Sequence, residues 1–170
     1  EGEEEVTVPL RFAVGDAMST NSGAAAGRER IVLLFTDASG RWPGRGFFRS
    51  VSAVSPQPQA AYEAAHANGD LSLGDAHLVP CDGSAGVAVC LLVVLRRVKG
   101  SPPGTPPQLC TASLDAALAR LAAAALRRAA TVHSPRLAST GNGNVWYAAE
   151  RLLRKHLGRV PTTVYYFRRS

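Results

Sequence analysis

The sequence predicts an α/β chain, a three-layer α/β/α sandwich around a central mixed sheet. Strand-like runs alternate with helical patterns along all 170 residues, as they do when helices cover both faces of a sheet. The run 87–95 (Val-Ala-Val-Cys-Leu-Leu-Val-Val-Leu) is apolar at every position, the mark of a buried strand. The runs 75–81 and 86–95 are joined through Asp82-Gly-Ser-Ala, turn-forming residues suited to a hairpin, so the sheet is mixed.

In chain order, residues 6–14 read as the first strand and 19–27 as a Gly/Ala/Ser loop. Residues 31–36 (Ile-Val-Leu-Leu-Phe-Thr) form a fully buried strand, followed by helix over 47–55 and again over 59–68. Beyond the hairpin, 99–108 is a Pro-rich loop. Thr111 or Ser113 caps the Ala/Leu/Arg helix that runs to about residue 130, with Asp115 in its first turn. Residues 131–133 are a short strand, 145–157 a helix, and 162–167 a final strand of β-branched and aromatic residues. No internal repeat interrupts this order.

With 46% hydrophobic and 19% charged residues the chain can bury one substantial core, so a single domain over 1–170 is expected, residues 1–5 being a linker end. No stretch approaches the roughly 20 apolar residues of a membrane-spanning helix, and no membrane contact is expected. The opening Glu-Gly-Glu-Glu-Glu-Val holds no initiator Met, basic region or cleavage site, which fits a domain excised from a longer protein. Cys81, Cys90 and Cys110 are odd in number and lack metal-ligand spacing, and two of them fall in apolar strand patterns. Free thiols, no metal and a reducing compartment follow.

The net charge of +6 and the sequence pI of about 9.8 favour polyanionic partners. Arg127-Arg128, Arg151, Arg154-Lys155, Arg159 and Arg168-Arg169 suit an ordinary solvated face equally well. No aromatic residues interleave with them as stacking platforms for a single strand. A nucleic-acid-binding module is therefore the weaker alternative.

Three segments carry ligand chemistry, and each begins where a strand stops: Val14-Gly15-Asp16, the loop 37–46 with Gly40, Gly44 and Gly46, and the run 140–146. Ligands of open α/β sheets bind outside the carboxyl ends of the strands. The 37–46 loop enters a helix, so main-chain N–H groups and the positive helix end can face an anion. Its three glycines permit close backbone approach and positive φ. The 140–144 loop has the same character, and two such loops can clamp a pyrophosphate. Plainer roles exist for each part. Asp16 can simply cap a turn, neither a GxGxxG nor a Walker-type loop is present, and Trp42, Trp146 and Tyr165-Tyr166-Phe167 fit core packing.

The order of these features resembles a macrodomain over nearly the whole chain. Its most specific parts are Asp37-x-Ser39-Gly40-x-Trp42, His133-x-Pro135-Arg136 and Trp146-Tyr147-x-x-Glu150-Arg151-Leu152-x-Arg154-Lys155-His156-Leu157. The pattern is similar to the macrodomain of poly(ADP-ribose)-dependent chromatin remodellers. The resemblance implies a pocket for ADP-ribose, with no other cofactor. By it, Asp16, between Gly15 and Ala17, accepts the adenine amino group, a task suited to an acceptor-only carboxylate. Gly44, Arg45, Gly46 and Phe47 match the first phosphate and ribose loop; Thr140, Gly141, Asn142, Gly143 and Asn144 match the second; Phe167 or Tyr166 stacks on the adenine. Pro43 departs from the family, whose loop carries glycine there. The resemblance further implies a monomeric nuclear reader of ADP-ribose or poly(ADP-ribose) on modified proteins, serving the DNA damage response. It would belong to a larger remodeller whose ATPase motor it can contact.

Hydrolase macrodomains share that pocket and are the main rival reading. One group relies on an Asn-rich stretch, which Thr36-Asp37-Ala38-Ser39 replaces here. Another uses a lysine nucleophile and an aspartate, whose positions look like Pro80 and Asn142. Proline offers no nucleophile, and a neutral amide cannot take up a proton. A non-catalytic reader is expected, with Asp37 and His133 the nearest substitute catalytic groups by position.

Overall fold

The computed structural model describes residues 7–19, 27–84, 86–137 and 144–166. Among the described residues the elements follow in the order β1 (Arg11–Val14), β2 (Arg30–Asp37), α1 (Gly46–Val54), α2 (Gln57–Ala67), β3 (Ala76–Pro80), β4 (Val87–Arg96), β5 (Gln108–Leu109), α3 (Thr111–Arg128), β6 (Thr131–Pro135), α4 (Asn144–His156) and β7 (Thr162–Tyr166). The sheet runs β1-β7-β6-β2-β4-β3, with β5 beside β4. β1, β7, β6, β2 and β4 are parallel, whereas β3 and β5 run antiparallel to β4. The expected mixed α/β/α sandwich is therefore present.

Because side chains alternate across a strand, each buried strand feeds two cores. Ile31, Leu33, Phe35, Cys90, Leu92, Val94, Val132 and Val164 face one core, which α3 closes with Leu114, Leu118 and Leu121, and α4 with Trp146, Ala149 and Leu153. Val32, Leu34, Val89, Leu91 and Tyr165 face the other, closed by Val51 of α1 and Tyr62 of α2 together with Ala17 and Met18. Each fully buried Leu or Val contributes about 1.5–3 kcal/mol, so the two central strands anchor the domain. Trp146 is 3% exposed, which makes it a core residue.

Four sequence expectations need correction. β1 begins at Arg11, because Pro9 has no N–H to donate and the Val8 N–H turns instead to the Gly158 carbonyl (2.6 Å). The Pro-rich loop ends in β5, too short for any periodic signal. α3 takes Cys110 as its N-cap, with no side-chain capping bond, while Ser113 Oγ donates to Cys110 Sγ (3.0 Å). Asp115 lies beyond the first turn and instead joins α3 to α4 through Lys155 (2.9 Å) and His156 (2.6 Å). Among the described residues the cysteines are free, no His/Cys/Asp/Glu group could hold a metal, and no helix is long and apolar enough to cross a membrane.

Candidate functional site

At the carboxyl edge of the sheet the chain leaves β1 through Gly15, whose N–H donates to the Tyr166 carbonyl (2.9 Å). A tight turn follows. The Met18 N–H donates to Asp16 Oδ1 (2.8 Å) and the Ser19 N–H to the Asp16 carbonyl (2.9 Å). The turn-capping role of Asp16 is thus real, and it occupies one carboxylate oxygen.

The 37–46 loop brings the start of α1 to the same place. Gly46, the first residue of α1, has φ +63°, and a Cβ built on it would meet nothing within 4 Å. Its N-cap, Arg45, is extended and makes no side-chain capping bond, and no acidic residue lies in the first turn. The first N–H groups of a helix have no intrahelical partner and carry the positive end of its dipole. An open cleft of about 410 Å³ lies between the two segments, lined by Asp16, Met18 and Ser19 on one side and Gly46, Arg49, Ser50, Ala53 and Val54 on the other.

Of the residues expected at the site, Asp16 and Gly46 line this cleft. Ala17 is buried and does not line the cleft, and Phe47 packs on the α1 and α2 core. Gly44 lies outside the positive-φ region and has open space around it, so nothing in the loop demands glycine there. Thr140, Gly141, Asn142, Gly143 and Phe167 lie outside the described residues, and Asn144 opens α4. Sequence reasoning missed the wall of α1. Positions 46, 49, 50 and 53 follow the i, i+3, i+4, i+7 spacing of one helix face, a signal available once the helix start was placed.

The rest of the 37–46 loop is held from within. Asp37 Oδ1 accepts from the Ser39 N–H (3.0 Å), the Ser39 hydroxyl (2.7 Å) and the Tyr62 hydroxyl (2.8 Å), and its Oδ2 accepts from Arg97 Nε (3.1 Å). Burial raises its pKa, but these donors outweigh burial and hold the carboxyl below its ordinary value. Tyr62, buried and facing that carboxylate, is pushed up to about 12. Trp42 donates Nε1–H to Ser52 Oγ (2.8 Å) and meets Phe48 edge-on at 5.1 Å, so it braces α1. His133 is 3% exposed, its ring nitrogens lying 2.8 Å from Thr131 Oγ1 and 2.6 Å from the Tyr165 hydroxyl. Burial first, and repulsion from Arg30 second, push it down to about 4.

Gly40 serves this scaffold. It has φ +76°, and an added Cβ would lie 2.3 Å from His66 Cγ and 2.8 Å from His66 Cβ. Gly40→Ala is expected to cost about 2–3 kcal/mol in urea unfolding, from left-handed strain plus overlap. His66→Ala in the same chain should restore part of that loss. A fully stable Gly40→Ala would show that the loop does not depend on this contact.

No protein-family model matches the chain. It is similar to chromodomain-helicase-DNA-binding protein 1-like of Mus musculus, 35% identical over all of this chain and 20% of that protein. The protein of the same name from Danio rerio is 31% identical over 95% of this chain and 16% of its own length. The chain therefore spans about a fifth of the length of the curated relatives it matches. Among solved structures, a macrodomain protein from Streptomyces coelicolor superposes with a TM-score of 0.75 and 27% identity, over 94% of this chain and 100% of that one. The macrodomain of Mycobacterium tuberculosis DarG gives 0.68 at 19% identity, over 92% and 97%, a likeness of fold.

Proposed function

Because this chain is a macrodomain, we propose that it binds ADP-ribose as a non-catalytic reader within a chromatin remodeller-like protein. One observation carries the reading: an acceptor carboxylate and an uncapped helix start line the same cleft. Asp16 takes the adenine amino group, and the N–H groups at Gly46 take a phosphate. The 140–144 loop and Phe167 complete the pocket by family analogy. The cleft volume falls within the roughly 300–1,000 Å³ of small-molecule sites. Modified proteins bearing ADP-ribose or poly(ADP-ribose), a nuclear setting, a monomeric state and a contact with the parent's motor belong to the same proposal.

Asp16→Ala tests the base contact. Calorimetry should show ADP-ribose binding weakened by about 1.5–3 kcal/mol, roughly tenfold to a hundredfold, the range for a hydrogen bond to a charged group. Asp16→Asn, which keeps an acceptor for the Met18 N–H, separates loss of the turn from loss of the contact. Unchanged affinity in both variants would remove Asp16 from the site.

The reading has no catalytic step. Pro80 ends β3 and pairs with Ala88. Asp37 is saturated with donors, and His133 is buried and neutral. General acid–base assistance contributes about 10² to 10⁴ in rate, so turnover should match background. The assay follows ADP-ribose release from proteins modified on acidic and on serine side chains. Release above the no-enzyme rate that disappears in Asp16→Ala would make this domain a hydrolase. Against the nucleic-acid alternative, affinity should fall only shallowly with salt, since one pyrophosphate releases few counterions.

A further inference from the structure

We infer that Arg30 is a positioning residue for the base-reading end of the cleft, its buried guanidinium holding the Asp16 turn in place. The inference rests on the ADP-ribose reading. Arg30 opens β2, seven residues before the strand ends at Asp37, and is 5% exposed. Arginine is almost never buried to that extent without partners. Its Nη2 donates to the Ala17 carbonyl (3.2 Å). Ala17 lies between Asp16 and Met18, the two residues whose hydrogen bond sets the direction of the carboxylate. A charge-assisted bond to the middle of a short turn fixes the turn at the point on which Asp16 depends.

The second support is Tyr165. It packs in the same core as Ala17 and Met18, while its hydroxyl lies 2.6 Å from His133 Nδ1 and His133 Nε2 lies 2.8 Å from Thr131 Oγ1. The turn therefore packs in a core whose Tyr165 is itself held by a hydrogen bond. Burying a guanidinium costs solvation that its hydrogen bonds must offset, and an apolar side chain in its place would leave the Ala17 carbonyl without this donor. The same bond thus serves stability and the direction of the Asp16 carboxylate, and the two roles are separated by a readout that stability does not move.

Adenine presents an amino group where hypoxanthine presents a carbonyl, and a fixed carboxylate accepts from the first and repels the second. The ratio of the two affinities thus reports where Asp16 points. Partial unfolding lowers both affinities equally and cancels from the ratio. The experiment is calorimetry of the wild type, Arg30→Met and Arg30→Lys with ADP-ribose and inosine diphosphate ribose, with circular dichroism as the folding control. The wild type should prefer ADP-ribose by about tenfold or more, as expected when a charged hydrogen bond is at stake. Methionine, similar in length but without a donor, should cut that preference to about threefold or less. Lysine, a single point donor on a shorter reach, should give an intermediate preference. A wild-type ratio in Arg30→Met overturns the inference. Should Arg30→Met fail to fold, a wild-type ratio in Arg30→Lys does the same. Equal binding of both ligands by the wild type would instead overturn the base-reading role of Asp16, and with it the need for a positioning residue.

Discussion

Replacing Gly46 with glutamate is expected to abolish ADP-ribose binding while leaving the domain folded. Gly46 is the first residue of α1, its φ is +63°, and its missing Cβ looks into open space at the cleft wall. A left-handed conformation costs a side-chain-bearing residue about 1–2 kcal/mol, offset by about 0.3–1 kcal/mol because a carboxylate favours a helix N-terminus. The net loss of stability is thus small. The effect on binding is large for the same reason, since the new carboxylate occupies the position where the ligand phosphate belongs. Ligand at a hundred times its Kd stabilises the native state by about 2.7 kcal/mol, which raises Tm by roughly 5–10 °C for a domain of this size. The shift should vanish in Gly46→Glu and persist, reduced, in Gly46→Ala, which carries the strain without the charge. An undiminished shift in Gly46→Glu would put the ligand elsewhere.

Acid should destabilise the domain through His133. Its pKa is about 4 folded against 6.5 unfolded, because burial and then Arg30 disfavour the imidazolium. The folded value is the lower one, so the unfolded chain binds more protons between the two values. The contribution of the neutral ring is fully present above pH 6.5 and is lost as pH falls toward 4. At about 1.36 kcal/mol per unit the span amounts to roughly 3 kcal/mol. Urea titrations from pH 7 to pH 4 check it. In His133→Gln, which keeps an amide near Thr131 and Tyr165, neutral stability should be lower and the excess acid slope gone. Equal slopes in both chains would remove His133 as the source.

Much of this architecture was readable because its elements are locally consistent. β2 and β4 are apolar at nearly every position, the passage from β2 through its loop into α1 follows the strand–loop–helix grammar of α/β sheets, and the end of β1 marked Asp16 as a strand-end residue whose ligand role came only from the family resemblance. What escaped depends on partners far away in sequence. Gly40 reads as a ligand-loop glycine, yet its constraint is His66, 26 positions on. Arg30 falls just outside the strand expected over 31–36, and nothing in its neighbours reveals a bond to Ala17. Asp115 reads as a helix-start acid, whereas its partners lie on α4. The end of β1 was legible and its beginning was not, because Val8 takes its partner from the Gly158 turn.

Calorimetry with ADP-ribose, ADP, AMP and oligomeric ADP-ribose tests the central claim most directly. A site that joins a base-reading carboxylate to a phosphate-binding helix start and a second loop uses the whole ligand. ADP-ribose should bind one to one, about tenfold or more tighter than ADP, with AMP weaker still and the oligomer bound at least as well as the monomer. AMP binding as tightly as ADP-ribose, or no heat with any of the four, would contradict the account.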